Sequence, residues 1–143
     1  GEKKNVQLRC QDGSLWRQRC RHKHREPREQ LMAADSVTLY LENHKNGQIG
    51  ATIHYTAVDE SWFCPVKALA RRVADIASQG LGRETPLSCV TPGSHVLSKH
   101  ILATVREAAR LTGLTNHGYS LHRIGAHSLR ASGAMAMKLS GAE

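Results

Sequence analysis

The chain has 143 residues, with 20 Lys and Arg against 12 Asp and Glu, so its net charge is +8 at pH 7. A hydrophobic content of 40% and only 12 glycines exclude a collagen-like or wholly low-complexity protein. Aromatic residues make up just 4%, so the core has to be aliphatic, and the excess positive charge favours a polyanionic partner.

The length corresponds to one domain, which we assign to residues 1–143. No segment resembles a secretory signal or an apolar span of about 18 residues. We therefore expect an intracellular protein without a membrane partner, nuclear if its source is eukaryotic. The chain starts at Gly1 without an initiator methionine, which we interpret as an excerpt from a longer protein.

Residues 1–35 are predicted to form a basic N-terminal arm or strand, because the first 30 residues hold nine Lys or Arg against four acids. Five cations occupy every second position from 17 to 25, and a period of two would put all five on one face of an extended strand. These predicted DNA-binding residues are Arg17, Arg19, Arg21, Lys23 and Arg25. The segment is either an ordered strand that faces DNA or a solvated arm.

The same segment contains residue types that bind zinc, namely Cys10, Cys20, His22 and His24. Their spacing matches no common zinc finger, so we predict no metal site here.

Residues 36–57 predict a β-hairpin. Val37, Leu39 and Leu41 alternate with polar residues, the run at 43–47 is typical of a turn, and the alternation resumes over 49–55.

Residues 64–143 predict the helical part of the chain. Pro65 suits a first helical turn, and apolar residues recur at helical spacing until Gly80. Residues 81–96 are typical of a loop. Ser98 is expected to cap a second helix that ends near Gly113, and a third helix is expected from about residue 128 to residue 139. The predicted fold class is α+β, mostly helical, with a small antiparallel sheet of two to three strands in the N-terminal half.

The sharpest motif is the run Gly125-Ala126-His127-Ser128-Leu129-Arg130-Ala131-Ser132-Gly133-Ala134. His127 and Arg130 are three residues apart, so at a helix entrance both would project from one side. The guanidinium fork matches two phosphate oxygens. Taken alone, the motif is weak, and a helix start that carries two solvated polar side chains explains it better.

This run resembles the second conserved box of the tyrosine recombinases, the phage integrase family. In that family a catalytic lysine lies on the turn of a β-hairpin upstream of the box, and Lys45 lies in the corresponding turn here. The hairpin followed by Cys64-Pro65-Val66 is particularly similar to recombinases of Crypton-type eukaryotic mobile elements. The resemblance spans roughly residues 36–141 and implies a tyrosine-recombinase catalytic-domain fold.

The resemblance implies DNA strand breakage and rejoining, as in site-specific recombination or the integration of a transposon, without a metal or other cofactor. A tyrosine hydroxyl attacks a phosphodiester and leaves a covalent 3′-phosphotyrosine and a free 5′-hydroxyl. By resemblance, Arg130 stabilises charge in the transition state, Lys45 protonates the departing 5′-oxygen, and His127 contacts the phosphate or acts as a base. The implied partner is double-stranded DNA, bound in the complete protein as a homotetramer.

The chain departs from the family at two positions. The family has a first arginine on a helix before the sheet, for which Arg9, in a strand-like run, is a poor substitute. The family's nucleophilic tyrosine follows the box, whereas Tyr40, Tyr55 and Tyr119 all precede it. The segment by itself is therefore expected to be inactive in cleavage. A non-enzymatic DNA-binding domain derived from a recombinase is the main alternative. An RNA-binding domain is disfavoured by the low aromatic content.

Overall fold

The computed structural model describes residues 8–43, 49–59 and 63–141. The chain forms two compact units, Gly1–His95 and Val96–Glu143. The described residues make an α+β protein with four α-helices and a four-stranded antiparallel sheet, which agrees with the predicted class. The assignment of residues 1–143 to one domain and the recombinase-like fold stay predictions.

The sheet of the first unit has one strand more than expected. Its strands are β1 (Gly13–Arg17), β2 (Cys20–Arg21), β3 (Ser36–Asn43) and β4 (Ile49–Thr56), in the order β2-β1-β3-β4. The hairpin predicted over 36–57 is confirmed, since β3 and β4 pair antiparallel from Ser36 opposite Thr56 to Asn43 opposite Ile49. The turn predicted between the two strands, with Lys45, falls on residues 44–48, which lie outside the described residues.

The prediction of one extended strand through residues 17–25 is wrong, because the chain reverses direction directly after β1. Gln18 and Arg19 both have left-handed backbone conformations, with φ of 48° and 67°. Two successive positive φ angles give the two-residue turn whose twist matches that of a β-hairpin. The backbone N–H of Gln18 donates to Asp35 Oδ2 at 2.7 Å, and the N–H of His22 donates to the Leu15 carbonyl at 2.8 Å.

The described part of the predicted N-terminal arm, residues 8–35, contributes buried residues to the core of the first unit. A short helix, α1 (Arg28–Met32), follows β2, and both Leu31 and Ala34 are fully buried. They pack in one cluster with Leu15 of β1 and with apolar residues of the next helix. Burial of a leucine side chain contributes about 1.5–3 kcal/mol, which holds this segment against the sheet.

The first long helix, α2 (Pro65–Ser78), confirms the predicted helix and has proline at its first position. Lys67 of α2 donates from Nζ to the carbonyl oxygens of Met32 at 2.6 Å and of Ala34 at 2.8 Å. The segment 81–96 is not only a loop, since it contains a two-stranded antiparallel pair, β5 (Cys89–Thr91) and β6 (Ser94–His95).

The second unit consists of α3 (Ser98–Leu111), short 3-10 turns at Leu114–His117 and Leu121–Arg123, and α4 (Ala126–Leu139). Both helices are as predicted within two residues. Ser98 does not cap α3, because the N-cap is Leu97, whose backbone N–H donates to His100 Nδ1 at 3.1 Å. None of the described helices has the length and apolar character needed to cross a membrane.

Candidate nucleic-acid interface

The predicted box lies at the first turn of α4, where Gly125 is the N-cap with an extended backbone. The N–H of Gly125 donates to the Ser128 hydroxyl at 3.1 Å, and the Ser128 N–H donates to the Gly125 carbonyl at 2.9 Å. Ser128 is thereby turned towards the protein, and His127 and Arg130 are both exposed. Three residues apart on a helix, they share one side of the first turn, as the spacing predicts.

Within the described parts of the chain, no ion pair or hydrogen bond engages the side chain of His127 or of Arg130. The N-terminus of a helix also carries partial positive charge from its unpaired N–H groups. An imidazole, a guanidinium and this helix end together form an arrangement that can accept a phosphate group.

Arg106 of α3 holds the segment that leads into the box. Its Nε donates to the Ile124 carbonyl at 3.1 Å, and one terminal nitrogen donates to the His122 carbonyl at 3.0 Å. Both acceptors lie within five residues of His127, so these bonds attach the segment before α4 to α3. Sequence analysis missed this residue. The available signal was an arginine one helical turn after Leu102, at the edge of the apolar face of α3.

A groove of about 720 Å³ lies between α3 and the start of α4. Its α3 side is apolar, and its other walls carry Tyr119, Arg123 and Ser132. Beyond its first turn α4 is exposed throughout residues 131–139. A Cβ built at Gly133 would meet no atom within 4 Å.

The second unit is strongly basic, with six Lys or Arg against two acids. One cation is neutralised, because Arg110 donates two hydrogen bonds to the Glu107 carboxylate, at 2.9 and 2.6 Å. These bonds hold the pKa of Glu107 below its usual range and raise the pKa of Arg110. The exposed side chains of Arg123 and Arg130 have no such partner among the described residues.

The five predicted DNA-binding cations of the first unit lie around the β1–β2 hairpin and are all exposed. In the described ranges, none of the five side chains forms an ion pair or a hydrogen bond. They lie at the end of β1, in the turn, on β2 and in the loop that follows, in the order Arg17, Arg19, Arg21, Lys23 and Arg25.

Acids near this hairpin are occupied by backbone and histidine donors. Asp35 accepts the N–H of Gln18, which is the main reason that its pKa lies below the usual range, with a smaller contribution from the Arg17 charge. Glu26 accepts the N–H of Lys23 at 2.7 Å and bonds the His22 ring. The cations of the hairpin therefore remain available to an external anion.

The described residues contain no group of three His, Cys, Asp or Glu side chains placed to hold a metal ion. Of the four candidate zinc ligands, Cys10 is buried while Cys20 is exposed on β2. His22 is engaged by Glu26, and His24 Nε2 lies 3.4 Å from the Leu81 carbonyl.

Of the three residues predicted to be catalytic, the structure brings His127 and Arg130 together on one helical turn, while Lys45 lies outside the described residues. No family model matches the chain, and no curated protein or solved structure is significantly similar to it. The resemblance to the tyrosine recombinases stays a prediction.

Proposed function

We propose that the chain binds double-stranded DNA through phosphate contacts and takes part in strand breakage and rejoining of the tyrosine recombinase type. The observation that supports this best is the pair His127 and Arg130, exposed side by side on the first turn of α4 without described partners. The exposed cations of the β1–β2 hairpin support the DNA contact independently.

The chemistry follows from the residue types. A guanidinium holds two oxygens of a phosphodiester in one plane, and in a partly dehydrated site it stabilises the charge that develops in phosphoryl transfer. In the proposed reaction, Arg130 has this role, His127 bonds the same phosphate, and Lys45 donates a proton to the departing 5′-oxygen. The reaction requires no metal or cofactor, and the phosphotyrosine conserves the energy of the broken bond.

The DNA contact is tested by fluorescence anisotropy with a labelled duplex, comparing Arg130→Gln with Arg110→Gln. Both variants remove one charge from the second unit, but Arg110 is already paired with Glu107 at 2.6 Å. We expect Arg130→Gln to weaken binding and to reduce the slope of log K against log salt concentration by about 0.9, the contribution of one phosphate contact. Arg110→Gln should bind nearly as well as the unchanged protein. Equal losses in the two variants would show that net charge alone acts, and the proposed contact at α4 would be wrong.

The strand-breaking part requires a different assay, because Tyr40, Tyr55 and Tyr119 all precede the box. The natural full-length protein is incubated with a duplex that carries a nick close to the cleavage point, so that a covalent intermediate accumulates. A protein–DNA adduct that is lost in Arg130→Lys supports the recombinase. DNA binding without any adduct supports the alternative, a non-enzymatic DNA-binding domain derived from a recombinase.

A further inference from the structure

A cavity of about 210 Å³ lies beside the β1–β2 hairpin, entirely within the first unit. Its lining is rich in nitrogen-bearing side chains from two stretches of chain, residues 21–24 and residue 83. The polar lining residues are Arg21, His22, Lys23, His24 and Arg83, and Cys10 lies among the apolar ones.

One ring nitrogen of His22 is a buried polar atom of this lining that has no partner among the described residues. Its side chain is only 11% exposed, and its Nδ1 lies 2.5 Å from Glu26 Oε2. The other ring nitrogen, Nε2, is buried and forms no hydrogen bond within the described chain. A buried polar atom without a partner is costly, so a ligand that bonds Nε2 gains affinity from satisfying it.

Glu26 fixes the orientation of this ring. One carboxylate oxygen accepts the Lys23 backbone N–H at 2.7 Å, and the other bonds His22 Nδ1. These two bonds, the backbone one first, hold the pKa of Glu26 below its usual range. Nε2 faces away from Glu26, and an oxyanion placed there is bonded by the imidazolium form of the ring, in which one N–H donates to Glu26 and the other to the oxyanion.

The electrostatics of the cavity favour an anion. No described carboxylate is in its lining. Burial raises the pKa of Cys10 to about 11, so its thiol is uncharged at neutral pH and does not repel an anion. The positive charge of Arg72 on α2 lowers the pKa of the same thiol, but burial has the larger effect. Glu84 lies in an adjoining open groove, together with Lys23 and Arg83.

We propose that this cavity binds one phosphate oxyanion, with His22 Nε2 as a hydrogen-bond donor and Arg21, Lys23 and Arg83 as neutralising charges. The volume lies below the range of about 300–1,000 Å³ of pockets for drug-sized ligands, so the ligand is a single phosphate group and not a nucleotide. The phosphate is either a free ion or a phosphodiester of DNA held against the hairpin. The site does not depend on the proposed function, since a free phosphate ion has the same chemistry.

Binding of a free phosphate ion is tested by isothermal titration calorimetry of the full chain with inorganic phosphate at low ionic strength, with sodium chloride as the blank. We expect saturable one-to-one binding that weakens at least tenfold in Arg83→Gln. Arg28→Gln is the matched control, because Arg28 lies in the same unit, outside this lining, and is paired with Asp75 at 2.7 Å. It is expected to bind like the unchanged chain.

His22 is tested directly by following the ring nitrogens in ¹⁵N-histidine NMR spectra during the same titration. Nε2 of His22 should shift with phosphate, and the rings of His100 and His117 in the second unit should not. This measurement needs no substitution, so it holds even where His22→Gln fails to fold. A titration that moves all histidines equally, or phosphate binding that survives Arg83→Gln unchanged, overturns the site.

The DNA arm compares the same two variants by anisotropy across a salt series. If Arg83→Gln reduces the slope of log K against log salt concentration by about 0.9 and Arg28→Gln does not, the cavity binds a DNA phosphodiester. Saturable phosphate binding in a chain that binds no duplex would refute the proposed function and leave this site standing. DNA binding that both variants leave unchanged, together with no phosphate binding, refutes the site alone.

Discussion

Removing two charges from the β1–β2 hairpin should flatten the salt dependence of DNA binding by a calculable amount. Arg17 and Arg19 are exposed, lack described ion-pair partners, and lie outside the lining of the cavity beside the hairpin. Each phosphate that a cation neutralises contributes about 0.9 to the slope of log K against log salt concentration. The double variant Arg17→Gln/Arg19→Gln should therefore reduce the slope by about 1.8.

The magnitude for the whole hairpin follows from the same relation. Five hairpin cations that each contact one phosphate give a slope of about −4.5, which is a loss of roughly 500-fold in affinity for a fourfold rise in salt. The double variant should retain about −2.7 of that slope from the other three cations. The loss over the same fourfold rise then becomes about 40-fold from the hairpin, with the second unit adding equally in both proteins.

The assay is anisotropy with a duplex of arbitrary sequence at four or five salt concentrations. The matched control is Arg28→Gln/Arg110→Gln, which removes the same net charge from side chains that are paired with Asp75 and Glu107. The control slope should stay within about half a unit of the unchanged chain, because paired cations release few counterions. If the control changes the slope as much as the hairpin variant does, the basic hairpin is not a phosphate-binding surface.

Two further predictions concern stability. Lys67→Met should lower the free energy of unfolding by about 2 kcal/mol, because the carbonyls of Met32 and Ala34 lose their shared donor. Urea denaturation measures this change. A decrease below about 0.5 kcal/mol would show that water replaces the ammonium group as the donor. The pKa of Asp35 is lowered in the folded protein, so its contribution is complete above the unfolded pKa and is lost as the pH falls through the folded pKa. Thermal unfolding followed from about pH 5 to pH 2 should therefore show a smaller acid-induced loss in Asp35→Asn than in the unchanged chain, and identical profiles would contradict the role of the Gln18 N–H bond.

The elements that sequence predicted well are those with a strong apolar period. Alternation set the pairing of β3 with β4, and helical spacing after Pro65 set α2, because each pattern has one arrangement that buries its apolar face. The β5–β6 pair was missed because its strands are only three and two residues long. Strands this short contain too few residues to show an alternation.

The basic N-terminal segment was misjudged for a different reason. A run of alternating cations has no apolar face, so its period does not determine its structure. What determines it is tertiary: Asp35 closes the turn at Gln18, and Leu31 is buried in the core of the first unit. A turn made by Gln18 and Arg19 also lacks the Gly or Asn that marks such turns in a sequence.

The residues of the candidate site were predictable from the sequence, but the hydrogen bonds that position them were not. The spacing of His127 and Arg130 is enough to place both on one side of a helical turn, and the structure has them there. The contact that positions this turn comes from Arg106, 18 residues before the carbonyl of Ile124 that it bonds, and no local pattern predicts a bond over that distance.

Charge, finally, separates the chain into three parts that composition alone does not distinguish. Residues 31–95 hold five Lys or Arg against six acids, so the entire excess of +8 lies in residues 1–30 and in the second unit. Among the acids of these two regions, Asp12 and Glu26 accept backbone N–H groups and Glu107 is paired with Arg110, while most of the described cations are exposed. A polyanion can therefore contact unpaired cations both in residues 1–30 and in the second unit. Among the described residues, His127 and Arg130 of the second unit are the ones with a role on the phosphate in the proposed reaction. The variants at the hairpin should therefore alter affinity without altering strand breakage, and Arg130→Lys should abolish strand breakage in the full-length protein at DNA concentrations that saturate binding.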